Sequence, residues 1–194
     1  MRRQQILDAT VQCVRRKGFH GASMSDIAAG AQVSVGAIYR YFTSKESIIE
    51  AIVANNLAEM RDTFAEWDDT PDDALLDRLL NVLGRAIERR FGGDYSELGL
   101  EILAEAGRNP RVAAIVENAD AQERQLGRNL CQRLMPDVEP ALVEARSEIV
   151  SMLFDGMMAR AIANPSADRG ALLADLRTVV RLLFAPSPKP LGVA

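Results

Sequence analysis

Apolar residues recur along this chain at spacings of three and four, while the strict alternation that marks strands is nearly absent. Ile6, Thr10, Cys13, Val14 and Lys17 trace one face of a first helix, which Gly18 ends. Four helix starts carry a capping oxygen three residues before a carboxylate: Ser23 and Asp26, Thr43 and Glu46, Thr70 and Asp73, Asp94 and Glu97. The oxygen satisfies an amide that has no partner inside the helix, and the acid suits the positive end of the helix dipole. Pro71 and Pro110 fall at first helical positions, where a missing amide costs nothing. Together these signals predict an all-α chain of about nine helices, over 3–17, 24–30, 35–42, 44–67, 71–91, 95–107, 110–135, 140–163 and 168–185. The tail 186–194, with Pro186, Pro188 and Pro190, cannot continue a helix and is expected to be flexible.

The short helices between 24 and 42 are the informative ones. Helices of about two turns are marginal alone, so these must pack on the first helix and on each other. Ile27, Ala28 and Ala31 supply the inner face of one, and Ile38 and Phe42 that of the other. Val33, before the Ser34 cap, is placed to staple against Ile38. Two short helices joined by Ala31-Gln32-Val33-Ser34 match a helix-turn-helix. The second then turns Val35, Gly36, Ala37, Tyr39 and Arg40 outward. Small residues at its start allow close approach to base edges, Arg40 can reach a phosphate or a guanine, and the hydroxyls of Tyr39 and Tyr41 suit phosphate oxygens. Tyr41 packing on helix 1, or Val35 as an ordinary exposed apolar residue, are the plainer alternatives. Ser23 and Ser25 complete the expected DNA-facing set. Lys45 is expected at the second position of a helix capped by Thr43, where a cation opposes the dipole at a cost of about 0.3–1 kcal/mol. A bound phosphate would reverse that sign; a solvated lysine is the alternative.

Charge sharpens the picture. The chain carries −4 overall, but residues 1–47 hold seven basic and three acidic residues, a net +4, which leaves −8 for the remainder. One part suits an anionic polymer and the other does not. At 48% hydrophobic and 26% charged residues, the composition is that of a globular domain. The apolar stretch from Met152 to Ala163 is broken by Asp155 and Arg160, so no membrane span is expected, and no signal peptide opens the chain. Cys13 and Cys131 form no metal or redox motif, and two buried thiols in a reducing cytoplasm are expected. His20, the one histidine, is expected to be solvated. Without a glycine-rich phosphate loop, a metal–carboxylate set or a histidine-activated nucleophile, the sequence points away from an enzyme, and no metal or cofactor is expected.

Gly18-Phe19, Ser23-Met24-Ser25-Asp26-Ile27-Ala28, the run from Val33 to Phe42, and Lys45-Glu46 together resemble the DNA-binding domain of the TetR family of transcriptional regulators. The resemblance covers about the first 50 residues at fixed spacing. It implies that Tyr39 and Lys45 hold phosphates and that Val35, Gly36, Ala37 and Arg40 face the major groove. Two departures stand out: Gln32 occupies a turn position where the family usually has glycine, at a cost of about 1 kcal/mol if the backbone is left-handed, and Tyr41 replaces a frequent histidine. The arm before helix 1 is short, which limits minor-groove contact to Arg2 and Arg3.

The resemblance further implies a helical effector-binding and dimerisation domain over 48–185, behind a helix-turn-helix domain over 1–47. The last two helices agree independently. Leu142, Ile149, Leu153 and Gly156 line one side of the eighth, and Leu172, Leu176, Val179 and Leu183 lie on the ninth, more apolar surface than a monomer needs. Trp67, Asn81, Phe91, Tyr95, Glu101, Met152 and Phe154 are candidates to line an effector cavity, though plain packing explains each as well. The expected function is a homodimeric, ligand-responsive repressor that leaves a near-palindromic double-stranded operator when a small molecule binds. The alternative is a helical protein-interaction adaptor that binds no DNA.

Overall fold

A computed structural model describes residues 2–91 and 94–185, with Asp94 and Tyr95 described in backbone only. The expected flexible tail, 186–194, lies outside the described residues. Nine helices account for the described chain: α1 (Arg2–Gly21), α2 (Met24–Gly30), α3 (Val35–Tyr39), α4 (Lys45–Ala65), α5 (Asp72–Phe91), α6 (Asp94–Ala106), α7 (Pro110–Leu134), α8 (Pro140–Ala163) and α9 (Arg169–Phe184). Gly18 breaks α1 with φ 68° and ψ 168°, so its last residues form a separate turn. This is the one glycine among the described residues with a positive φ.

Cap chemistry fixes the short helices. Ser23 accepts from the Asp26 amide while the Asp26 carboxylate accepts from the Ser23 amide, closing the expected capping box. The end of α2 is a complete Schellman motif, with Gln32 N–H donating to Ala29 O at 3.1 Å and Val33 N–H to Ala28 O at 3.0 Å. Its left-handed position is Gln32 itself, at φ 53°, the one non-glycine residue with positive φ among those described. The left-handed backbone that glycine usually supplies is thus present without the glycine. Ser34 caps α3 through the Ala37 amide. That helix stops at Tyr39 rather than 42, because the amides of Tyr41 and Phe42 both turn back to Ile38 O and bury the Phe42 ring.

The expected Thr43 cap is displaced by one residue. Ser44 caps α4 reciprocally with Ser47, leaving Lys45 at the first helical position rather than the second. Helix α5 begins at Asp72, one residue after Pro71, not at Pro71 itself. Pro110 opens α7 as expected, after a cap at Asn109.

Three apolar clusters hold the chain together. The first joins Ile27, Ile38 and Ile48 of the N-terminal helices to Leu98 and Ile102 of α6 and Val112 of α7. The helix-turn-helix is therefore seated on the larger body through continuous core. The second gathers Trp67, Leu75, Leu83, Leu130, Val143 and Val180 from the turn after α4 and from α5, α7, α8 and α9. The third is small, built on Ile87, Phe91 and Met157. Cys13 and Cys131 are free and buried, and burial pushes the Cys131 thiol up to about 11.

Candidate nucleic-acid interface

Because Ile38 and Phe42 face inward, the opposite side of α3 faces out. Val35, Gly36, Tyr39, Arg40 and Tyr41 are all exposed, and Ala37 is half-buried beneath them. Tyr41 does not bury itself on α1; half its surface is open. At Gly36 an added Cβ would meet nothing within 4 Å, so its smallness is not demanded by the chain's own packing. A groove of about 320 Å³ runs between the start of α1 and α3, and Arg2, Gln32, Ser34, Arg40 and Tyr41 contribute to its walls. Ser25 is exposed on the same head. Ser23 is also exposed, but its hydroxyl accepts from the Asp26 amide and donates to the Asp26 carboxylate at 2.7 Å. That double engagement makes Ser23 a structural cap first. Lys17 holds the same carboxylate at 2.7 Å, and these bonds keep Asp26 well below the usual carboxylate range.

Lys45 is neither solvated nor idle. Its ammonium donates to Phe19 O at 2.7 Å and lies 4.6 Å from the centre of the Phe19 ring. This contact answers the unfavourable dipole position from within the chain. Two of the three ammonium protons remain for another acceptor.

Behind Phe19 lies a junction that the sequence did not reveal. Glu97, Glu101 and Glu105 are spaced by four along α6 and therefore share one face. Glu97 pairs with Arg15 at 2.6 Å, so the acid expected to help cap α6 bridges to α1 instead. Glu101 accepts the Phe19 amide at 3.1 Å. Glu105, only 1% exposed, accepts from Arg108 at 2.9 Å and Asn109 at 3.0 Å, with His20 Nδ1 at 3.8 Å. Burial alone would raise the Glu105 carboxyl, but the Arg108 and Asn109 hydrogen bonds outweigh it and hold it below the ordinary value. His20 is mostly exposed, as expected, with one edge toward that carboxylate. The backbone of Phe19 is thus held at its N–H by α6 and at its C=O by the first residue of α4. The spacing of the glutamates was visible beforehand; their partner on α1 was not.

The effector candidates fall in separate places. Trp67, buried edge-on against Phe64 with ring centres 5.1 Å apart, and exposed Asn81 share one open groove with Glu66, Arg78 and Arg85. Phe91 lies in the third cluster, with half-buried Phe154 packed against it. Glu101 belongs to the junction, because its carboxylate is taken by Phe19. Met152 is 63% exposed on the outer side of α8, so it lines no interior space of the lone chain. The Tyr95 side chain lies outside the described residues. Sequence reading missed Arg90, whose guanidinium is 5.7 Å from the Phe154 ring centre and acts on the carboxyls of Glu123 and Asp155. Desolvation raises both of those carboxyls, and their acidic neighbours add to the rise.

The dimer candidates divide in two. Leu142, Ile149, Leu172 and Val179 are exposed, Gly156 stands open, and Leu182 at 69% and Ile162 are exposed as well. Leu153, Leu176 and Leu183 are half-buried, and the last two pack into the chain's own clusters. Among the described residues no helix is long and apolar enough to cross a membrane, and no cluster of histidine, cysteine or acidic residues could hold a metal ion.

Residues 6–52 match the model of bacterial regulatory proteins of the tetR family. The transcriptional regulator UidR of Escherichia coli strain K12 is 27% identical over 186 residues, spanning 92% of this chain and 90% of that protein. The structure of Salmonella enterica GusR superposes with a TM-score of 0.77 at 25% identity, covering 94% of this chain and 95% of its own. FadR from Bacillus subtilis, solved in complex with stearoyl-CoA, superposes at 0.75 with 18% identity, over 94% of this chain and 97% of its own.

Proposed function

We propose that this chain, whose residues 6–52 match the tetR family model and which is similar along its length to transcriptional regulators, is a homodimeric repressor that a small molecule releases from DNA. Residues 1–47 form the reader and 48–185 the effector-binding and dimerising body. The observation that carries the DNA-binding half is the exposed face of α3 with Arg40 and two half-exposed tyrosines, held on a fully buried Ile38. Tyr39, Tyr41 and Lys45 position phosphates, and Val35, Gly36, Ala37 and Arg40 meet the base edges. Two copies joined through the apolar surface of α8 and α9 present two such heads. Their operator is near-palindromic, with half-site centres about 34–36 Å apart or a multiple of that.

The effector is a small, largely apolar molecule bound among α5 to α8, near Phe91, Phe154 and Arg90. FadR, of similar fold, holds stearoyl-CoA, a ligand with a long acyl chain, which supports an effector with a large apolar part. The effector prefers the DNA-incompetent dimer, because a ligand of equal affinity for both states shifts nothing. A tenfold loss of operator affinity needs about 1.4 kcal/mol of such coupling. Two mechanical routes are available: α4, which runs from Lys45 toward Trp67, and α6, whose glutamates grip the end of α1. Trp67, the one tryptophan in the chain, provides the test. Compounds from a metabolite and drug panel that release operator DNA should change its fluorescence over the same concentration range. Release that persists after bulky substitutions fill the region between α5 and α8 rejects this site.

A further inference from the structure

Gln32 occupies the left-handed position of the α2–α3 turn at φ 53°. An L-residue there brings its Cβ against its own backbone, a penalty that glycine escapes. Asparagine and aspartate soften it with short local hydrogen bonds; glutamine, one carbon longer, is not among the residues that favour this conformation. Within the chain the side chain returns nothing visible for that cost. It is exposed, and its carboxamide engages no hydrogen-bonding partner among the described residues. A glycine would complete the same Schellman bonds, since these use only backbone groups. Strain kept where the fold does not need it directs attention to an external contact.

The surroundings identify the chemistry of that contact. Gln32 lines the groove of about 320 Å³ between the start of α1 and α3, where Arg2 and Arg40 also contribute walls. Two guanidinium groups and a neutral amide donor suit an anion better than they suit an uncharged base edge. We infer that Gln32 is a DNA-positioning residue whose carboxamide donates to a backbone phosphodiester lodged between Arg2 and Arg40. The contact sets how deeply α3 enters the groove and carries no sequence preference of its own. This inference rests on the DNA-binding reading above and adds to it a residue whose position in the turn would ordinarily mark it as purely structural.

The experiment uses the full-length chain and two probes: duplexes that it selects from a randomised 30-base-pair library, and an unselected duplex of equal length. Q32G should melt at a higher temperature than wild type yet bind both duplexes more weakly, by about three- to tenfold for one lost hydrogen bond per head. Q32A should bind as weakly as Q32G without the gain in melting temperature. Q32K keeps the reach and the donor, so it should retain affinity while steepening the salt dependence by about one unit per head. A Q32G chain that binds as tightly as wild type overturns the inference. So does a Q32G chain that melts lower, which would give the side chain an internal role. Altered sequence preference in Q32G overturns the phosphate assignment in favour of a base contact. A wild-type chain that binds neither duplex overturns the DNA-binding reading itself, whereas equal binding by wild type and Q32G overturns this inference alone.

Discussion

The helix-turn-helix head and the α5–α9 body are both made of helices, but they solve different problems. In the head the short helices α2 and α3 start on side-chain caps, at Ser23 and Ser34, as does the long α4 at Ser44, and Ile27, Ile38 and Ile48 are completely buried. What α3 and the residues after it expose is largely small, aromatic or cationic. In the body, α8 starts at Glu139 without a side-chain cap, and large apolar residues stand open on α8 and α9. The head is finished as a lone chain; the body is not. The contrast matches the partners proposed above: an anionic polymer against the head, a second copy against the body.

The sharpest way to break that contrast is to charge the unfinished surface. Ile149→Glu combined with Val179→Glu alters two residues that are exposed in the lone chain, so each chain should still fold. Sedimentation should show monomers at micromolar concentration. Operator affinity should fall roughly a hundredfold or more, because two linked heads lose their mutual effective concentration. A dimer that survives the double substitution places the interface elsewhere.

Next in size is the junction between the two regions. Glu101→Ala removes the acceptor of the partly buried Phe19 amide, and an unsatisfied donor of this kind costs about 1–3 kcal/mol. Chemical denaturation should report that loss. Effector titration should in addition report weaker coupling between ligand and DNA, while the intrinsic ligand affinity stays near that of wild type. Unchanged coupling would leave α4 as the sole transmitter.

How much of this was legible in advance follows the same division. The head's capping box at Ser23 and the boundaries of α2 depend on neighbours within a few residues, and sequence spacing shows such features directly; the left-handed turn at Gln32 was suggested only by the family resemblance. Even the Ser44 cap failed by one place only, since Thr43 and Ser44 are both acceptable caps and tertiary fit chose between them. In the body the long helices were legible from periodicity, with α8 matching at both ends. Their long-range relations were not. Nothing in the spacing of Glu97, Glu101 and Glu105 says that α1 lies opposite, and nothing in Met152 or Leu183 says which of them faces solvent. The effector candidates scattered for the same reason, because a cavity is defined by packing across elements far apart in sequence.

Smaller effects test the head alone. Lys45→Ala should weaken binding to all sequences alike and flatten the salt dependence by about one unit for each head. Because Lys45 also holds Phe19 O, the variant should lose some stability as well; an unchanged salt slope would assign the lysine to that internal role only. Ser23→Ala should cost about 1 kcal/mol in denaturation experiments through the lost cap of α2. The smallest effect concerns acid. Lys17 and Ser23 hold the Asp26 carboxyl below its ordinary value, so its contribution is complete above the unfolded-state value of about 3.9 and fades as pH falls below it. Melting curves of wild type and Asp26→Asn should therefore differ most at about pH 6, with the difference shrinking steadily as the solution is acidified below about pH 4. A difference that persists in acid would show that the pairing with Lys17 and Ser23 is not its source.

The claim on which the rest depends is that two heads, joined through the body, read double-stranded DNA. Selection from a randomised duplex library by the purified full-length chain, with the stoichiometry of the selected complexes measured, tests it most directly. The account predicts enrichment of a near-palindrome whose half-site centres lie about 34–36 Å or a multiple apart, bound by an even number of chains. Recovery of no enriched sequence, or of a single asymmetric site bound by one chain, would contradict it.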